Sequence, residues 1–138
     1  MSRFRIRIIS ATTATALAAA LAPASLAAET SEFTISNITD FHGYWEETKR
    51  EPGAARLKCA IDKAAEGRTH ILTSSGDNIG ASPFASMLLD DAPTLEILNL
   101  MNLQVSALGN HELDQGALDY ENRVTDIADF DYLAANAE

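Results

Sequence analysis

Four short apolar runs, separated by stretches of helical periodicity, constrain this chain more than any other feature. Phe33-Thr34-Ile35-Ser36-Asn37-Ile38 alternates apolar and polar residues and predicts a first strand. Over Ala54 to Ala65 the apolar positions Ala55, Leu57, Ala60, Ile61 and Ala64 recur at helical spacing, and Gly67 closes the segment. His70 to Ser74 predicts a second strand. Phe84 to Leu89 spans one or two helical turns, and Ala92 to Asn102 is a further helix with Pro93 in its first turn. Val105 to Leu108 reads as a third strand, Gly116 to Ala128 as a helix, and Tyr132 to Ala135 as a short fourth strand. Strands alternating with helices predict right-handed βαβ units and a largely parallel sheet, an α/β fold.

Residues able to do chemistry gather at the ends of these strands. Asp40 and His42 follow the first, Asp77 the second, and Asn110, His111 and Asp114 the third. The carboxyl ends of parallel strands are where such sheets bind ligands. Carboxylate, imidazole and amide donors without a thiolate suit Mn, Zn, Fe or Mg. Asp40 and His42 lie two apart, so in extended backbone both would point to one side. A carboxylate such as Asp77 is able to bridge two cations, which together clamp an in-line displacement and acidify bound water.

The first residues are set apart from this pattern. Arg3, Arg5 and Arg7 precede an apolar, alanine-rich run to about Leu21, and small residues follow through Ala28. That is the layout of a secretory signal peptide over 1–27, cleaved after Ala27 or Ala28, so the chain is expected to be exported. The run is short for a membrane span, and no span is expected after cleavage. The formal net charge of −10 becomes more negative once the leader arginines are gone. No basic stripe is left for a nucleic acid polymer. Cys59 is the single cysteine, which excludes an intramolecular disulfide and is expected to pack as a small buried hydrophobe.

Three blocks of this sequence resemble those of the calcineurin-like metallophosphoesterases: Asp40-Phe41-His42-Gly43, then Gly76-Asp77, then Gly109-Asn110-His111-Glu112. The longer runs "ALGNHELDQG", "GAARLK" and "SSGDNIGAS" are similar to the exported 5′-nucleotidase branch. That branch includes UDP-sugar hydrolases and 2′,3′-cyclic-nucleotide phosphodiesterases. The resemblance covers essentially all of the chain beyond the leader. It implies the N-terminal half of a four-layer α/β/β/α sandwich over 28–138, two divalent metals (Zn, Mn, Mg or Fe), and a nucleotide or other phosphate ester as substrate. Asp40 and His42 would bind the first metal, Asp77 would bridge both, and Asn110 would bind the second. His111 would sit beside the metals, touching the phosphate or protonating the leaving oxygen, with Asp114 orienting it; a metal-bound hydroxide would attack phosphorus. Glu112 matches the pattern but is assigned no chemical role. Gly76 and Gly109 would free the backbone at the turns.

Two small departures and a large one accompany the resemblance. Thr39 stands where the family often has asparagine, and Pro52 where a second glycine is common. The family also draws metal-binding histidines from later strands and holds the nucleoside in a C-terminal domain. Here the histidines are His42, His70 and His111, and His70 opens a strand at its far end. The chain is therefore expected to be an incomplete catalytic domain, inactive alone, with an open sheet edge.

Each block also has a plainer reading. Asp40-Phe41-His42 is a possible polar turn, Asp77 a turn or cap aspartate, and Gly109-Asn110 a turn dipeptide. An exported, non-catalytic metal-binding or interaction module is the alternative to the enzyme. Trp45, Glu46 and Glu47 are read as a solvated loop, and Asp90-Asp91 as a helix start.

Overall fold

Parallel pairing in sequential order organises the chain. A computed structural model describes residues 31–135, so the expected leader over 1–27 lies outside the described residues. Strands β1 (Phe33–Ile38), β2 (Thr69–Ser74), β3 (Leu103–Ala107) and β4 (Asp131–Leu133) form one sheet in the order β1-β2-β3-β4. Every neighbouring pair is parallel, from Phe33↔Thr69 through Ser74↔Ser106 to Ala107↔Leu133. The β2–β3 register shifts between Leu72 and Thr73, and this bulge sets Gln104 out of the pairing. The third strand thus begins earlier than its apolar run suggests, because Leu103 pairs with Leu72 across the bulge.

Helices connect the strands. Helix α1 (Gly53–Ala65) links β1 to β2, and α2 (Phe84–Met87) with α3 (Ala92–Leu100) links β2 to β3. The last connection is the short α4 (Ala117–Asp119), a π-helical turn at Tyr120–Val124, and α5 (Thr125–Ile127). The helix expected over 116–128 is there in extent, but its middle is wound more loosely. Arg123 still forks onto Asp119 one turn back, at 2.7 and 2.6 Å.

Parallel strands in sequential order, joined by crossovers of the usual right hand, are expected to carry all their connecting helices on one side of the sheet. Burial agrees with that. Leu72, Leu95, Leu98, Met101, Leu103 and Val124 centre the core, and Ile38 and Tyr132 pack against it. On the other face Phe33 and Ile35 are 59% and 58% exposed, and Leu133 is exposed too. Among the described residues that apolar face has no covering layer.

Two expectations about side chains fail for geometric reasons. Helix α1 buries Gly53, Ala54, Ile61 and Ala65. Cys59 is two residues from Ile61, hence about 200° round the helix at 3.6 residues per turn, and it is exposed rather than buried. Trp45 is no solvated loop residue: it packs against the core while Glu46 and Glu47 stay exposed. His70 behaves as an ordinary strand residue, its Nε2 3.0 Å from the Ser36 hydroxyl.

Candidate metal centre

The loops after β1 and β2 stay side by side beyond the strands. Asp40 N–H donates to the Gly76 carbonyl at 3.2 Å, His42 N–H to Asp77 at 3.0 Å, and Gly43 N–H to Asn78 at 3.0 Å. Asp40, His42 and Asp77 therefore converge, each offering one donor atom within 4.8 Å of the others. They do not converge through extended backbone, as their spacing suggests. Asp40, His42 and Asp77 have φ of 51°, 45° and 55°, in the left-handed region that aspartate tolerates better than most residues. Non-glycine residues held there cost of order 1 kcal/mol or more each and tend to cluster at functional sites.

The donor set fits a hard or borderline divalent cation. His42 Nδ1 lies 2.8 Å from the Gly80 carbonyl, which only accepts, so Nδ1 carries a proton and Nε2 is the nitrogen that is bare in the neutral ring. That Nε2 is 3.9 Å from Asp40 Oδ1. Two donors each about 2.1 Å from an ion lie at most about 4.2 Å apart, so the separation of this pair is within reach of a single cation. Thr39 donates its hydroxyl to Asp40 Oδ2, which leaves Oδ1 facing His42. The threonine that departs from the family pattern thus orients the first carboxylate. Among the described residues, lysines and arginines pair with Glu47, Asp62, Glu32 and Asp119, not with the cluster.

The third loop joins through Asp77. Asp77 Oδ1 accepts the His111 N–H at 2.9 Å, so its other oxygen stays available. His111 begins a 3₁₀ turn, His111–Leu113. Its Nδ1 is 2.8 Å from Asp114 Oδ2, and its ring stands edge-on to His42 with centroids 4.8 Å apart. The hydrogen bond to Asp114 holds the imidazole above its ordinary pKa of 6.5, and the charges of Asp114, Asp77 and Glu112 add to that. Asn110 is exposed and lies between Gly109, packed on Asp77, and His111, bonded to it. A cavity of about 380 Å³ borders only Asp40 of these residues and runs toward Tyr44, Glu51 and Leu57.

Glu112, left without a role above, is what fixes the spacing of the loops. It is 1% exposed. Its Oε2 accepts the N–H groups of Asp77 at 3.0 Å and Gly109 at 2.8 Å, and its Oε1 that of Asn78 at 2.7 Å. One carboxylate thus ties the loop of Asp77 to the loop of Asn110. Asn78, fully buried, continues the bracing: it accepts from the Ser74 hydroxyl at 2.6 Å and donates to Ser106 at 2.8 Å. Ser74 and Ser106, polar residues at strand ends that otherwise read as core, were the signal for it. The two glycines act differently. Gly76 has φ +98° and supplies a turn, whereas Gly109 supplies space: a Cβ there would meet Asp77 and stand 2.6 Å from Glu112 Oε2.

No family model matches the sequence. Individual proteins do. A cell wall protein of Listeria monocytogenes is 38% identical over 114 residues, covering 71% of this chain and 14% of that protein. A 2′,3′-cyclic-nucleotide 2′-phosphodiesterase/3′-nucleotidase of Salmonella typhimurium is 33% identical over 135 residues, 87% of this chain and 21% of the relative. A 5′-nucleotidase of Vibrio parahaemolyticus is 34% identical over 113 residues, 78% of this chain and 20% of the relative. The chain thus spans about a fifth or less of the length of these relatives.

Proposed function

The chain belongs to the metallophosphoesterase superfamily, and on that premise we propose that it forms the N-terminal part of an exported, metal-dependent phosphoester hydrolase of nucleotides. The observation that carries the reading is the meeting of Asp40, His42 and Asp77 at adjacent strand ends, beside an imidazole already paired with Asp114. Asp40 and His42 would hold a first divalent cation, and Asp77 and Asn110 would be this chain's residues for a second. Bound there, the cations would acidify water and neutralise charge on the phosphoryl group.

The residues of the chain have separable tasks. Glu112 keeps the loops at fixed spacing. His111, its Nδ1 committed to Asp114, presents Nε2 to the phosphate or to the leaving oxygen, where a proton is needed as the ester bond breaks. Asp114 supports the protonated form. The region 28–138 is one half of a four-layer α/β/β/α catalytic domain, and the uncovered face of Phe33, Ile35 and Leu133 receives its second sheet. The relatives' names supply the substrate class: two are named for action on nucleotides or cyclic nucleotides. Export is supported by the leader pattern and by a relative named as a cell wall protein.

The test uses the gene product as encoded, because residues 28–138 alone are expected to be inactive. Hydrolysis of nucleoside monophosphates that depends on added Mn or Zn, and falls about 10²–10⁴-fold in His111→Ala, is expected. Stoichiometric metal binding without hydrolysis, unchanged by His111→Ala, would instead establish a non-catalytic metal-binding module.

A further inference from the structure

A second buried carboxylate lies outside the three motif blocks. Asp91 is 6% exposed, and both of its oxygens are committed to uncharged donors. Oδ2 accepts the Gly80 N–H at 3.0 Å, and Oδ1 accepts the Ser86 hydroxyl at 2.6 Å. Ser86 also meets the Thr94 hydroxyl, so the end of α2 and the start of α3 share one buried polar cluster. As a helix start, Asp91 occupies the N-cap position of α3, yet its side chain makes no capping bond. It reaches back to the β2 loop instead.

Gly80 is the junction through which this reaches the metal centre. Its N–H goes to Asp91, and its carbonyl faces His42 Nδ1 at 2.8 Å and accepts the Ser82 hydroxyl at 3.2 Å. Its α-carbon abuts the other histidine: a Cβ would stand 2.7 Å from Asp114 Oδ2 and 2.9 Å from His111 Cβ. A ligating histidine is generally fixed in ring orientation and tautomer by what its second nitrogen donates to, and loss of such a partner weakens metal binding.

We propose that Asp91 is a positioning residue: by holding Gly80 it aims the carbonyl that keeps the His42 proton on Nδ1 and leaves Nε2 bare toward Asp40. The consequence for metal affinity rests on the metal reading given above, while the tautomer follows from the protein geometry alone. Asp91 touches neither cation nor substrate, and acts only through Gly80.

Two measurements on the metal-free and metal-titrated gene product test this. Long-range proton–nitrogen spectra at about pH 8, above the ordinary imidazole range, identify which nitrogen of His42 is protonated. Calorimetric titration with Zn or Mn gives affinity. Wild type is expected to show the Nδ1-protonated form. Asp91→Ala is expected to mix the tautomers and weaken binding about 10- to 100-fold. Asp91→Asn, whose amide oxygen still accepts the Gly80 N–H, should recover most of both, which a general loss of stability would not predict. Asp91→Ala that folds with the wild-type tautomer and affinity overturns the proposal. A wild-type His42 protonated on Nε2 overturns it too, whether or not the alanine variant folds. Should wild type bind neither metal, the metal reading fails, and the tautomer still decides the role of Asp91.

Discussion

Gly109→Ala isolates the close approach on which the candidate site depends. Gly109 is not among the residues at positive φ, so alanine suits its backbone and by itself would stabilise the chain by about 0.4–1 kcal/mol through the unfolded state. Space works the other way. The new Cβ would stand 2.6 Å from Glu112 Oε2 and would overlap Asp77, where ordinary contact needs about 3.5 Å. Glu112 must retreat by roughly 1 Å, and overpacking of this kind costs about 1–3 kcal/mol. Retreat also stretches the bonds from Asp77, Asn78 and Gly109, now 3.0, 2.7 and 2.8 Å. Each hydrogen bond to a charged acceptor is worth about 1.5–3 kcal/mol. With one such bond lost, the net destabilisation is about 2–5 kcal/mol. For a domain of this size that lowers Tm by roughly 8 °C or more, read by circular dichroism on the gene product. Gly67→Ala is the control: nothing lies within 4 Å of its Cβ and only its φ of +78° opposes substitution, a cost of about 1–2 kcal/mol. A Gly109→Ala protein that melts with wild type would refute the steric reasoning.

Further expectations follow from the same contacts. Glu112→Gln sets an amide N–H₂ against the buried Asn78 N–H or its neighbours and should cost about 1–3 kcal/mol in denaturant unfolding; an unchanged midpoint would deny Glu112 its bracing role. Asp114→Asn removes the partner that raises the His111 pKa, so in metal-free protein the imidazole should titrate lower by proton NMR. The sign for stability is fixed by linkage: the Asp114–His111 contribution is complete below the ordinary value of 6.5 and is lost as pH rises through the raised folded pKa. Relative to wild type, Asp114→Asn should therefore regain stability as pH rises above 6.5 and show a constant deficit below it; a deficit that did not shrink above pH 6.5 would contradict that. Leu98→Ala, at a fully buried position, should destabilise by about 2–5 kcal/mol, measured by the same unfolding curves.

What the sequence made legible was local. Strand β1 and helix α1 follow from periods of 2 and 3.6 residues, and both lie within one residue of their expected bounds. The parallel order followed from alternation, and the donors gathered at strand ends because ends of parallel strands share one edge. Bonds between distant residues left less trace. Glu112 looks like any acid in a turn until its carboxylate is found among amides 34 and 35 residues away. Asp91 reads as a helix start, which it is, and nothing in its neighbours points to Gly80. The convergence of Asp40 and His42 was anticipated for the wrong reason, since left-handed turns rather than extended backbone bring them together. Cys59 was misread because a small apolar residue within a helical pattern does not reveal which face it occupies.

The continued pairing of loops past the strand ends turns the sheet into a ruler. Neighbouring strands are about 4.8 Å apart, and paired catalytic cations stand about 3.5–4 Å apart. On the proposed reading one cation occupies the gap between β1 and β2 and the other the gap between β2 and β3. The carboxylate to be shared then belongs in the loop after β2, the strand between β1 and β3, and Asp77 lies in that loop. Spacing of the two charges would be inherited from the pitch of the backbone ladder, shortened by the reach of one aspartate, and a change of side chain alone would hardly alter it.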